Sequence, residues 1–257
     1  MTRPAILVTG GATRIGAAIV RGFAADGWHT VIHYNSSAGP AEALAATLPS
    51  AETIQCDLSD GDAAEAMIEA LADRLPDWRC LVNSASVFDY DGATKLDPET
   101  NRSAMQINAA SPARMAQAYL RSAKSAATRC VVQITDMKLA NPNPEFFSYT
   151  MSKHALGSTI AMLAKHYAED ARARIYGIAH GAILASHDQN EAETDTSHTL
   201  NLLGRKTGPD EIVQAAKLMA TGALKSGSTL FIDSGQHLLD QPRDVIYLAR
   251  ELAESSA

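Results

Sequence analysis

Short apolar runs alternate with longer segments of helical periodicity along nearly the whole chain. That alternation limits the fold more than any other feature of the sequence. Runs of β character fall at 5–9, 30–34, 53–56, 80–83, 130–135, 174–178 and 229–232. Between them, apolar residues recur at helical spacing over 15–26, 41–48, 62–75, 99–123, 149–170 and 209–220. Parallel strands need crossovers of a dozen or more residues, and such crossovers are right-handed. The pattern therefore predicts a doubly wound α/β fold, with a mainly parallel seven-stranded sheet and helices on both faces.

The rhythm continues without a linker, an internal repeat or a low-complexity tract, so the 257 residues are read as a single domain, 1–257. One stretch breaks it. From Ala185 to Asn201 the chain is polar and acidic, which predicts an irregular loop of the kind that covers substrates, placed at about 181–204. A short terminal helix is expected over 245–252.

Composition narrows the classes of function. The net charge is −7 with no block of lysine or arginine, which argues against nucleic-acid and anionic-membrane partners. No apolar run reaches membrane-span length, and the segment from Met1 lacks a leader's apolar stretch, so a cytoplasmic location is expected. Cys56, Cys80 and Cys130 are far apart and sit in or beside apolar runs, as buried free thiols do. The histidines show no ligand spacing, and no metal is assigned.

The first strand runs into Thr9-Gly10-Gly11-Ala12-Thr13-Arg14-Ile15-Gly16 and then a helix. Glycines at a strand-to-helix turn let the backbone approach a pyrophosphate, and the helix N-terminus supplies free N–H groups with a positive partial charge. Gly10, Thr13, Arg14, Ile15 and Gly16 are the candidate contacts, and the fold becomes specifically Rossmann-type. The second strand ends His33-Tyr34-Asn35-Ser36-Ser37. A carboxylate there would bind the ribose of NAD and repel a 2′-phosphate. Its absence, with Arg14 in the loop and hydroxyls at Ser36 and Ser37, favours NADPH. Tyr34, Asn35, Ser36 and Ser37 are assigned to that end of the cofactor. Asp57 and Leu58, after the third strand, suit the adenine edge, although Asp57 serves equally well as a turn cap.

Tyr149 and Lys153 are four residues apart, which on a helix puts both on one face. A neighbouring ammonium is expected to lower the phenol's pKa and fit it for proton transfer near neutrality, and the lysine can also bond the nicotinamide ribose.

The TGxxxRxG loop, Asn83-Ser84-Ala85, Asn108 and the Tyr149/Lys153 pair together resemble the short-chain dehydrogenase/reductase family over almost the whole chain. The resemblance implies that Tyr149 is the general acid and that Lys153 orients the ribose. It implies further that Asn108 supports a water relay to Lys153 and that Asn83 steadies the central sheet, with Asn83 and Ala85 beside the cofactor. Gly181 and Ile183 match positions that hold the carboxamide. The family is commonly a homotetramer.

One departure is informative. The family's usual serine at the end of the fifth strand is replaced by Asp136. A carboxylate takes part in proton transfer more readily than an alcohol, and suits a substrate with basic ring nitrogens or an amino group. Here the chain resembles the pteridine reductase and dihydromonapterin reductase branch. Ser86-Val87-Phe88 is similar to the segment whose phenylalanine stacks a pterin. His33-Tyr34 matches that branch too, and Arg14 matches an arginine that touches both cofactor phosphate and pterin. The implied substrate contacts are Arg14, Ser86, Phe88, Asp136 and Tyr149, and the implied reaction is NADPH-dependent reduction of a pteridine C=N bond. Phe88 also fits plain core packing.

Other departures leave the activity open. The usual proline before Gly181 is His180, and Ser234 replaces a glycine. A carbonyl or alcohol reductase, with Asp136 incidental, and a catalytically quiet dinucleotide-binding protein remain as alternatives.

Overall fold

The structure is a computed structural model and describes residues 3–186 and 189–255; Met1, Thr2, Ser256 and Ala257 lie outside it, as do His187 and Asp188 of the expected loop. Seven strands form one sheet: β1 (Ala5–Thr9), β2 (His29–Tyr34), β3 (Ala51–Gln55), β4 (Trp78–Asn83), β5 (Arg129–Asp136), β6 (Ala173–His180) and β7 (Thr229–Ile232). Their order is β3-β2-β1-β4-β5-β6-β7, and every neighbouring pair is parallel. The Rossmann-type doubly wound sheet expected from the alternation is thus present. Each expected strand overlaps its observed counterpart, with ends that shift by a few residues.

The helices are α1 (Arg14–Ala25), α2 (Ala38–Ala46), α3 (Gly61–Arg74), α4 (Pro98–Met105), α5 (Ser111–Ser122), α6 (Phe147–His166), α7 (Glu191–Ser197), α8 (Pro209–Ala220) and α9 (Val245–Ser255). Strand residues alternate between two cores, as the two-residue period requires. Ala5, Leu7 and Val131 pack on one face with α3, α5 and α6. Ile6, Val8, Cys130, Val132 and Ile134 pack on the other with α1, α2 and α8. Cys56, Cys80 and Cys130 are buried free thiols. Among the described residues no helix is long and apolar enough to cross a membrane.

The strand order reverses between β1 and β4, which opens a crevice at the carboxyl edge of the sheet. Two segments near that edge depart from the expected pattern. The helix predicted over 99–123 is interrupted by a π-helical turn, Gln106–Ala110. Pro112 has no N–H, and its ring conflicts with the carbonyl four residues back, which is that of Asn108. The ladder widens instead, and Ser111 N–H donates to the Gln106 carbonyl. The loop expected to be irregular contains α7, which starts at a capping box. The Asn190 side chain accepts from Glu193 N–H and the Glu193 carboxylate accepts from Asn190 N–H. That Asn-x-x-Glu spacing was present in the sequence, but the surrounding run has too few apolar residues for periodicity to mark a helix. The terminal helix expected over 245–252 forms and runs to Ser255.

The turn from β1 into α1 depends on backbone contact. Gly10 has φ +63°, and a Cβ on it would lie 3.0 Å from the Ala85 Cα. A Cβ on Gly16 would lie 2.2 Å from the Gly10 carbonyl oxygen. Neither obstruction is a side chain that could swing away. Gly16→Ala is expected to lower the free energy of unfolding by about 1–3 kcal/mol, read from urea denaturation curves.

Candidate active site

A cleft of about 330 Å³ opens at the carboxyl edge of the sheet. Gly10, Thr13, Arg14, Ile15 and Gly16 line one end of it. Thr13 starts α1 without a side-chain hydrogen bond to the helix, so the first N–H groups are left to a ligand. His33 holds this loop from behind. Its buried ring accepts from Gly10 N–H at Nδ1 (3.2 Å), so Nε2 carries the proton and donates to the Cys56 carbonyl (3.0 Å). Burial pushes the ring's pKa down to about 4 against the pull of the Cys56 carbonyl, which keeps the imidazole neutral near pH 7.

At the middle of the cleft, Tyr149 comes from the first turn of α6 and Asp136 from the end of β5. The Tyr149 hydroxyl donates to Asp136 Oδ2 at 2.8 Å. The other oxygen of Asp136 accepts from Lys138 N–H at 2.9 Å and so caps the 3-10 turn Met137–Leu139. Burial favours a neutral Asp136. The charge of Lys138, that of His180 when it is protonated, and the Lys138 N–H and Tyr149 hydrogen bonds outweigh it and hold the carboxyl below its usual pKa.

The effect on Tyr149 is opposite to the sequence expectation. Burial and then the facing Asp136 charge push the phenol well above its ordinary pKa. Lys153 does not reverse this: its Nζ donates to the Ile134 carbonyl (2.9 Å) and lies 5.4 Å from the Tyr149 ring centroid. Burial lowers the Lys153 ammonium itself to about 8, opposed by Asp136. The arrangement is a protonated phenol facing a carboxylate, with an amine one turn along the helix.

Phe88 lies on Phe146, with ring centroids 4.0 Å apart and planes 18° from parallel, and meets Tyr149 edge-on at 4.6 Å. One face of Phe88 is therefore used in packing, while the ring still lines the cleft. His180 is opposite Asp136 in the β5–β6 register, and its Nδ1 donates to the Gly181 carbonyl at 2.8 Å. Ser234 takes the glycine-like conformation of the position it occupies, with φ +52°, and its hydroxyl pairs with that of Thr207.

Of the residues expected from sequence, Ala85, Ser86, Phe88, Asp136, Tyr149, Lys153, Gly181 and Ile183 also line the cleft. Others sit elsewhere. Tyr34 ends β2 and Asn35, Ser36 and Ser37 follow it, at the same edge of the sheet but outside the cleft lining. Asp57 is a turn cap that accepts from Ser59 N–H, and the Leu58 side chain is in the core. Asn83 is buried and bonds Pro112 and Gln133, away from the cleft. Asn108 binds the Val87 N–H and carbonyl and donates to Ser152, so it anchors the segment leading to Phe88. Arg14 reaches across the cleft and donates to the Ala185 and Leu184 carbonyls, joining the glycine loop to the covering loop. Lys138, Asp244, Val245, Ile246 and His198 line the cleft without having been anticipated. Of these only Lys138 lies near a motif residue in sequence, just after Asp136. Among the described residues no cluster is placed to hold a metal ion.

The profile of the enoyl-(acyl carrier protein) reductase family matches residues 10–237. The chain belongs to this short-chain dehydrogenase/reductase family. It is 25% identical over 236 residues to the dihydromonapterin reductase of Citrobacter koseri, covering 91% of this chain and 96% of that protein. It is 27% identical over 282 residues to pteridine reductase 1 of Leishmania tarentolae, covering 92% and 97%. Among solved structures, FolM alternative dihydrofolate reductase 1 of Brucella suis in complex with NADP superposes with a TM-score of 0.84 at 31% identity, covering 92% of this chain and 96% of that one.

Stability of this oxidoreductase should report on His33. Its folded pKa is depressed, so the unfolded chain takes up the proton first as pH falls. The stabilisation is complete above about pH 6.5 and lost progressively down to about pH 4, a change of roughly 3 kcal/mol. Urea unfolding measured across that window should show the slope, and a His33→Asn chain should show a flatter one.

Proposed function

We propose that this oxidoreductase uses NADPH to reduce a C=N bond of a pteridine or dihydropterin ring. The observation that carries the reading is the 2.8 Å hydrogen bond from Tyr149 to Asp136 inside the cleft. A carboxylate at the end of β5 provides an acceptor for the N–H and amino groups of such a ring, which a simple ketone lacks. The names and likeness of the dihydromonapterin, pteridine and FolM reductases support the same choice.

The chain's residues fit an NADP dinucleotide. The bare Gly10 backbone and the unused N–H groups at the start of α1 suit a pyrophosphate. The chain after β2 offers Asn35, Ser36 and Ser37 in place of a carboxylate, and the Ser37 side chain is not spent on capping α2. Arg14 lies close enough to exchange its loop carbonyls for a phosphate. When bound, the reduced nicotinamide supplies the hydride.

The rest is done by the protein. Lys153, pinned to the Ile134 carbonyl, presents its remaining donors to the ribose. Tyr149 gives its phenolic proton to the ring nitrogen, and Asp136, already ionised, holds an adjacent N–H or amino group. Phe88, backed by Phe146, offers a flat apolar surface to the substrate ring. Tyr149 and Asp136 are buried, so their bonds to substrate form with little competing water. The outer faces of α4, α5 and α6 are assigned to a homotetramer interface; Met162 on α6 is 67% exposed.

NADPH oxidation followed at 340 nm with dihydrobiopterin, and with a panel of simple ketones, tests this reading. Turnover of the pterin is expected, and Asp136→Ser and Tyr149→Phe should each lower kcat by about 100-fold or more. Ketone turnover that survives Asp136→Ser would instead establish a carbonyl reductase. Tight NADPH binding without turnover of either class would establish a binding protein.

A further inference from the structure

Two charged side chains on the cleft wall take no part in the hydride and proton steps above. Lys138 and Asp244 are buried, at 6% and 3% exposure, and line the cleft beside Asp136. Lys138 Nζ lies 2.5 Å from Asp244 Oδ2. Burying such a pair is costly, and apolar residues of similar volume often stabilise a fold as well or better. Its presence beside a proton-transfer site calls for another account.

The surroundings of Asp136 supply one. Tyr149 and Lys153 face it from α6, His180 from β6 and Lys138 from the 3-10 turn, while Asp244 and Glu145 stand behind Lys138. Three of these groups can carry positive charge. His180 is pushed towards neutrality by burial. Lys153 is held by a carbonyl with no counter-ion and is lowered to about 8 by burial. Only Lys138 has a carboxylate in direct contact, and Asp244, followed by Asp136, more than offsets its burial, so its pKa stands above the ordinary value.

Lys138 is also fixed along its length. Its N–H donates to Asp136 and its carbonyl accepts from His154 Nε2. Its partner Asp244 is fixed in turn. Asp244 N–H donates to Glu145, whose other oxygen accepts from Arg243, and Asp244 Oδ1 caps α9 by accepting from Ile246 N–H.

We propose that Lys138 is a positioning residue of the reductase. Its backbone N–H turns the Asp136 carboxylate toward Tyr149, and its ammonium, gripped by Asp244 at the start of the C-terminal helix, keeps that carboxylate an anion. The inference rests on Asp136 being the working carboxylate of the site. It gives the segment after β7 a task in the chemistry: the segment supplies the counter-ion for the cation that keeps the acceptor charged.

The test separates this from a merely structural pair. The side-chain carboxyl ¹³C resonance of Asp136, assigned by its absence in an Asp136→Asn sample, is titrated in the full chain. Lys138→Met alone would strand the Asp244 charge and can unfold the protein, so the decisive variant is Lys138→Met/Asp244→Asn, in which no charge is left unpaired. Its Asp136 midpoint should rise by about one pH unit or more, a tenfold gain in proton affinity. Asp244→Asn alone frees Lys138 for Asp136, so the midpoint should stay or fall. Lys138→Arg should stay within about half a unit of the parent.

A structural role predicts no movement, or the same movement whenever the pair is broken, and either result overturns the proposal. In parallel, the acid limb of the kcat profile for dihydrobiopterin reduction should move with the resonance. If the parent protein turns over no pterin, the functional reading fails while the titration still decides the role of Lys138.

Discussion

The hydrogen bond between the Tyr149 phenol and the Asp136 carboxylate sets the terms for the rest of the site. Both groups are buried, and a carboxylate out of water must be neutral or compensated. Here it is compensated, by a turn N–H, by the phenol and by the charge of Lys138. Burial, and then the same carboxylate, keep the phenol in its protonated form. An acid and an acceptor therefore stand side by side with their protonation states pushed apart, which is the condition for one to give a proton while the other binds an N–H. The parallel sheet makes this possible by delivering the end of β5, the first turn of α6 and the end of β6 to one edge.

The other half of the cleft is organised by backbone and not by charge. Gly10 and Gly16 let the strand–helix turn close to within contact distance of Ala85 and of itself. His33 then ties that turn to the segment after β3 with a single neutral ring. A protonated imidazole would have no acceptor for the Gly10 N–H, so the geometry of the loop depends on the ring's staying neutral. Arg14 links the two halves from above through the Ala185 and Leu184 carbonyls. On the far side, Glu193 of α7 pairs with Arg250 of α9, so the covering loop and the C-terminal helix form a common wall.

The gap between the expected and observed proton affinity of Tyr149 has a physical source. The expectation assumed that a motif residue acts on its nearest motif neighbour. Pro112 forces the widened turn that carries Asn108 toward Val87 and Ser152. The Lys153 ammonium goes to a carbonyl, and Asp136 takes the phenol. Competing polar partners from other elements decide such contacts, and spacing along one helix cannot report them. Asp57 takes the turn-cap role that the sequence also allowed, and the Leu58 side chain packs into the core.

The sequence by itself determined the alternation of strands and helices, the glycine turn, the absence of a carboxylate after β2, and the presence of Asp136, Tyr149 and Lys153. These are properties of short stretches, set by the two-residue and 3.6-residue periods and by the chemistry of individual side chains. Tertiary structure alone decided what those side chains touch. Lys138 and Asp244 are 106 residues apart, and Gly10 in the turn after β1 and His33 on β2 are 23 apart, joined only when the sheet assembles. Proton affinity follows from burial and from neighbours in space, so the downward shifts of Asp136 and His33 and the upward shift of Tyr149 come into being with the fold.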